Sequence, residues 1–238
     1  SWARVKEYNR KNEILAEKAE KAGTLGNWLG VLPNAGSEDI SKAWDKILIN
    51  QFHDVLPGSS IPYQYEVTYN NQELAKNLLN NVQNDGLQAI AYKADTNVDG
   101  TPVLVFNPLS WERSDMVETT VRFTDAVPEQ IAVYDGDTLV PSTVTARDEE
   151  KKTATIRFQA NALPSVGFKI FTVKAGDGTV ETNLSVEEND SLFVMENEFL
   201  KVEIDKETGN IAQVYNKKDN NRPVFADGYQ GNEIHIYK

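Results

Sequence analysis

The chain changes its periodicity once, near residue 98. Before that point apolar residues recur at spacings of three and four, and after it they alternate. A chain with one such break folds as helices followed by strands, not as an alternating strand–helix repeat. The expected fold class is therefore α+β multidomain: a three-helix bundle, then an antiparallel β-sandwich, then the start of a second β domain. The boundaries expected from the pattern are 1–95 for the bundle, 96–175 for the sandwich and 184–238 for the second β domain.

Residues 2 to about 22 predict the first helix, with Val5, Tyr8, Leu15, Ala19 and Ala22 near one face. Glu7 to Lys11 and Glu17 to Lys21 are i,i+4 pairs in the favourable order, and Gly23 reads as a stop. Ser37 reads as the cap of a second helix, with Glu38 and Asp39 in its first turn. Trp44, Ile47, Leu48, Gln51 and Val55 share a face of that helix, which Pro57-Gly58 ends. Ser59 or Ser60 then caps a third helix from near Pro62 to about 93, through Tyr65, Tyr69, Leu78, Val82 and Ile90.

Past residue 98 the strand signals follow each other closely. Val103 to Phe106 closes at Asn107-Pro108, and Val117, Thr119, Val121 and Phe123 alternate. Ile131 to Tyr134 turns at Asp135-Gly136 into Leu139-Val140. Thr153 to Phe158 and Phe168 to Val173 are further strands, and Glu149 to Lys152 is a solvated hairpin turn. A polar linker runs from Ala175 to about 190. Phe199, Val202 and Ile204 then lead through Lys206 to Asn210 into Ile211 to Tyr215 as a hairpin.

Charge and composition exclude several functions. A formal charge of −12, from 24 basic and 36 acidic residues, opposes binding to phosphate backbones, so no nucleic acid is expected as a partner. No cysteine is present, which removes disulfides and thiolate chemistry. No apolar run reaches the roughly 18–20 residues of a membrane span, so no membrane partner is expected. Nothing resembles a signal peptide, which suits a cytoplasmic location. The first residues open inside a helical pattern and the last stop inside a strand-like alternation, so the chain is expected to be a fragment.

The candidate chemistry sits at Asn50-Gln51-Phe52-His53-Asp54-Val55-Leu56-Pro57-Gly58-Ser59-Ser60, which holds one of two histidines. On a helical wheel His53 lies about 180° from Trp44, on the face opposite the apolar stripe. It is then either a solvated surface histidine or a ligand offered to another domain. Asp54 would be turned by about 100° from it, so a regular helix could not aim both the same way. A metal needs three or four protein ligands, and His235 lies in a distant strand pattern. Ser59 and Ser60 lack a base and a nucleophile-elbow motif. Gly26, Gly30 and Gly36 fit no phosphate-binding loop. Asn183-Leu184-Ser185 and Asn189-Asp190-Ser191 have the form of glycosylation sites, meaningful only in a secretory setting. No carboxylate pair can be chosen from 36 acids by spacing.

Leu48 to Ile61, read through Asn50-Gln51-Phe52-His53-Asp54-Val55-Leu56-Pro57-Gly58-Ser59-Ser60, resembles the α-mannosidases of glycoside hydrolase family 38. Three other stretches resemble that family in the same order. Ala3-Arg4-Val5-Lys6 to Asn9-Arg10-Lys11-Asn12-Glu13 is similar to the first helix of its middle domain. Val105-Phe106-Asn107-Pro108-Leu109-Ser110-Trp111 is similar to the opening of its β region. Glu196-Asn197-Glu198-Phe199-Leu200-Lys201-Val202 with Thr208-Gly209-Asn210-Ile211 is similar to the start of its large C-terminal domain.

The resemblance implies an upstream α/β domain that carries most of the active site. It also implies a zinc ion, with His53 as its one ligand from this chain, and Asp54 as a contact to sugar hydroxyls. The implied reaction is retaining hydrolysis of α-mannosides through a glycosyl-enzyme intermediate, with zinc orienting and polarising the sugar. The implied partners are an α-mannoside substrate and the missing N-terminal catalytic domain. No catalytic residue is expected in the fragment, and a complete zinc site is expected only in the full-length enzyme. Phe52 stands where some relatives have a second His, which leaves the ligand position unchanged. Loss of the upstream domain should leave apolar area exposed around Ile49 and His53. The rival reading is a non-catalytic carbohydrate-binding or structural β-sandwich module, which would need neither His53 nor Asp54.

Overall fold

The structure, a computed structural model, describes residues 3–234 of the 238. The chain forms two compact units, Ser1–Thr179 and Val180–Lys238. The first holds three helices and a β-sandwich, and the second is a single sheet.

The helices are α1 (Ala3–Trp28), α2 (Ser37–Ile49) and α3 (Pro62–Lys93). Tyr8 meets Tyr69, Asn12 meets Gln72 and Gly26 approaches Ala89, so α1 and α3 run parallel. Their facing residues repeat at alternating steps of three and four. On α1 these are Val5, Asn9, Asn12, Ala16, Ala19, Gly23 and Gly26. On α3 they are Tyr65, Thr68, Gln72, Ala75, Leu79, Val82, Gly86 and Ala89. That is a coiled-coil seam, but small and polar residues occupy much of it. Asn12 donates its side-chain N–H to the Gln72 backbone carbonyl at 2.9 Å and to the Gln72 side-chain oxygen at 2.6 Å. A buried amide pair of this kind pins the register. The expected α1 face shares Val5 and Ala19 with this seam, but its Tyr8 and Leu15 lie outside it and its polar members Asn9 and Asn12 were not anticipated, because the expectation followed apolar residues.

The ends of the helices differ from the expectation. α1 does not stop at Gly23 but continues to Trp28. A side chain at Gly23 would run into the Ala35 carbonyl, and one at Gly86 into the Ala22 backbone. These glycines serve close helix approach, not termination. Gly36, at φ 75°, is the N-cap of α2, and Ser37 lies inside the helix. The Gly36 N–H donates to the Asn34 side chain at 2.8 Å. Ala43 and Ile47 point into the bundle, Trp44 is half-buried and Leu48 is exposed. Neither Ser59 nor Ser60 caps α3: its N-cap is Ile61, with no side-chain cap bond, and Pro62 opens the helix.

The sandwich packs a four-stranded sheet against a three-stranded one. The first has the order β1 (Thr101–Asn107), β7 (Gly167–Ala175), β3 (Ile131–Asp135), β4 (Thr138–Val140). The second has β2 (Arg113–Arg122), β6 (Thr153–Leu163), β5 (Ser142–Asp148). Every pairing is antiparallel. Ile131, Val133, Ile156, Phe158, Phe171 and Val173 are buried in one core, as alternation requires. The expected strands are all present, and β5, too polar to be read, joins them.

The second unit orders β12 (Arg222–Pro223), β11 (Ile211–Asn216), β10 (Leu200–Asp205), β9 (Leu192–Glu196) and β8 (Ser185–Glu188). β8 lies in the expected linker. All four of its residues are exposed, so no apolar alternation marked it. The hairpin at Lys206 to Asn210 forms as expected. Asp205 Oδ1 accepts from the Glu207 and Thr208 N–H groups and the Thr208 hydroxyl, and Gly209 takes φ 74°. The expected terminal strand around His235 lies outside the described residues.

Candidate functional site

α2 ends at Ile49, four residues before His53, so His53 lies on a turn and not on a helix face. Three anchors hold that turn. Asn50 is buried and donates its side-chain N–H to the Lys46 carbonyl at 2.7 Å, while its backbone N–H turns back to Ile47. Gln51 reaches α1, donating to Asn9 at 3.2 Å and to Glu13 at 2.7 Å. Val55 is buried, and its N–H, with that of Leu56, donates to the Phe52 carbonyl. Beyond it, Gly58 takes φ 93°, which lets the chain reverse. The Ser60 N–H donates to the hydroxyl of buried Tyr65 at 2.9 Å, and Lys6 reaches the Pro57 carbonyl at 3.3 Å.

The anchors hold Phe52, His53 and Asp54 outward. Their exposures are 54% for the Phe52 residue and 77% and 57% for the His53 and Asp54 side chains. His53 Nε2 lies 3.5 Å from Asp54 Oδ2. The Phe52 and His53 rings lie 4.2 Å apart between centroids. The turn thus brings together two side chains that a helix would have separated. Ser59 and Ser60 supply no nucleophile here; the Ser59 hydroxyl donates to the Asp54 carbonyl at 3.4 Å. Leu48, Ile49, Ile61 and Tyr63 are exposed around the turn and form an apolar rim.

Sequence reasoning missed the anchors. Gln51 was expected to help form a helical face, and Tyr65 was read only as a member of the third helix. The signal for Gln51 was polarity within an apolar stripe. Among the described residues no group of three His, Cys, Asp or Glu could hold a metal. The donor chemistry nevertheless fits a contribution to one: a solvated imidazole beside a carboxylate on a fixed backbone.

The second resembling stretch has another role. Asn107 is buried where β1 ends, and its side-chain N–H groups donate to the carbonyls of Trp111 at 2.8 Å, Leu163 at 3.2 Å and Pro164 at 3.0 Å. Its oxygen accepts the Leu109 N–H at 3.1 Å.

The alpha mannosidase middle domain is the family whose model matches, over residues 1–90. Residues 1–90 thus resemble an alpha mannosidase middle domain. The matched region includes α1, α2, the His53 turn and nearly all of α3. The chain is similar in fold to an alpha-mannosidase from Enterococcus faecalis V583, with a TM-score of 0.72 at 17% identity. The match covers 94% of this chain and 29% of that one, so this chain spans less than a third of that structure. No curated protein matches.

Proposed function

We propose that the chain is the middle portion of a zinc-dependent retaining α-mannosidase that removes terminal α-linked mannose from glycans or oligosaccharides. In this reading His53 is one zinc ligand and Asp54 accepts hydrogen bonds from sugar hydroxyls. The remaining ligands, the nucleophile and the acid/base carboxyl come from a neighbouring catalytic domain of the same chain. Zinc, when bound, polarises and orients the sugar hydroxyls as a Lewis acid. The chain's own contribution is positional. Asn50, Gln51 and Tyr65 fix the backbone, the Phe52 ring limits the rotation of His53, and the exposed apolar rim seats the neighbour and excludes water.

The observation that supports this reading is the outward Phe52-His53-Asp54 turn, held by buried polar anchors within the region that resembles a mannosidase middle domain. The test is His53→Ala in the full-length enzyme, scored by zinc content and by turnover of an aryl α-mannoside. We expect loss of bound zinc and a fall in kcat/KM of at least about 100-fold, the upper range for disturbing a metal's surroundings. Wild-type zinc content and turnover in that variant would sink the reading. The 238-residue chain alone should neither hydrolyse the substrate nor hold zinc tightly, having one ligand where three or four are needed.

A further inference from the structure

A cavity of about 480 Å³ lies where the bundle meets the sandwich, away from the His53 turn. Its polar rim is Lys18 of α1, Gln83 and Gln88 of α3 and Arg113 of β2; its floor includes Leu104 and Phe106 of β1. Val103 and Val105 pack into the sandwich core, so Leu104 and Phe106 face the other way. An outer sheet face is ordinarily polar, and here it offers an aromatic and an aliphatic side chain to a cleft. A second cavity of about 300 Å³ shares Lys18 and Gln83 and extends the cleft along the helices.

The charges differ in availability. Arg113 is paired with Asp115. Among the described residues no carboxylate pairs with Lys18, whereas Lys11 and Lys21 of the same helix are paired with Glu7 and Glu17. An unpaired cation beside two amides and an apolar floor, in a chain of charge −12, selects an anion that also has a hydroxylated body. Each amide can both donate to and accept from hydroxyls.

We propose that this cleft binds a hexose-sized sugar bearing one anionic group, a carboxylate or a phosphate, as an accessory glycan subsite. The anion meets Lys18, the ring lies on Phe106 and the hydroxyls meet Gln83 and Gln88. The choice of a sugar rests on the mannosidase reading; the anion and the cleft do not.

The test is titration of the isotope-labelled 238-residue chain, followed by NMR, with D-glucuronate, mannose 6-phosphate, methyl α-mannoside and inorganic phosphate. We expect saturable shifts at Gln83, Gln88 and Phe106 with one or both anionic sugars, and weaker binding of the neutral sugar and of phosphate. Lys18→Ala should weaken the anionic sugar about fivefold, the scale of one solvent-exposed ion pair. Gln88→Ala, at an exposed position, should weaken both sugar types, and His53→Ala should change nothing. Absence of shifts at these residues, or unchanged affinity in Lys18→Ala, would overturn the proposal. Phosphate binding as tightly as the sugars would overturn the sugar assignment. Because the readout is binding, it can fail while zinc and turnover at His53 behave as proposed, and the reverse.

Discussion

Two corners of the chain are built on the same device and put to opposite uses. Asn50 ends α2 and Asn107 ends β1, and each is about 1% exposed. Each donates its amide to backbone carbonyls, Asn50 to one within its own helix and Asn107 to three beyond its own strand. At the Asn107 corner the bonds close on the sandwich itself, tying β1 to the end of β6. At the Asn50 corner they hold outward a His, an Asp and a Phe whose side chains are exposed. A buried asparagine at a corner is therefore no sign of function. What separates the two is the adjoining residues: Phe52, His53 and Asp54 in one case, Pro108, Leu109 and Ser110 in the other.

The largest expected effect that would sharpen this contrast is Asn107→Ala. It leaves three buried or partly buried carbonyls and one N–H without the Asn107 partner and should cost about 3 kcal/mol. Urea unfolding measures it, and a loss under about 1 kcal/mol would show that the corner does not depend on Asn107. Asn50→Ala removes a single side-chain bond at the end of α2. It should cost about 1–2 kcal/mol in the same assay and lower the turnover of the full-length enzyme by loosening the turn. A stability loss as large as that at Asn107 would break the comparison.

His53→Ala with Asp54→Ala should leave the unfolding midpoint of this chain within about 0.5 kcal/mol, as expected for exposed side chains. A marked loss would make the pair structural. The smallest effect concerns the β10–β11 turn. Hydrogen bonds from the Thr208 N–H and hydroxyl hold the Asp205 carboxyl below its ordinary pKa. A lowered folded pKa means that the stabilisation is complete above the unfolded value and is lost as pH falls through the folded one. NMR titration should therefore find Asp205 protonating below the ordinary aspartate range, with the Thr208 amide shift following it. Thr208→Ala should move that titration upward.

How far the fold could be read depended on what each segment buries. The sandwich buries side chains of alternating strands, so Val117 to Phe123 and Thr153 to Phe158 announced themselves. The α1–α3 seam buries Asn9, Asn12, Thr68, Gln72 and glycines, so hydrophobicity found only part of it, Val5, Ala19, Tyr65 and Val82, and Gly23 read as a stop. β8 buries nothing and gave no signal. At the candidate site the residues themselves, His53 and Asp54, were legible, but their placement was not. The helix was extended to Pro57 because no glycine or proline marks its end at Ile49. That end is fixed by Asn50 folding back on Lys46 and by Gln51 reaching Asn9 and Glu13, some forty residues away in sequence.

The sequence by itself determined the order of helices and strands, the charge that repels polyanions and the Phe52-His53-Asp54 motif, because each is local in composition or period. Tertiary structure alone decided that His53 and Asp54 leave the surface side by side, 3.5 Å apart. It also decided that glycines bring α1 and α3 together and that Lys18, Gln88 and Phe106 share one cleft. Each of those depends on groups distant in the chain competing for the same carbonyl, surface or space, and no window of sequence contains both competitors.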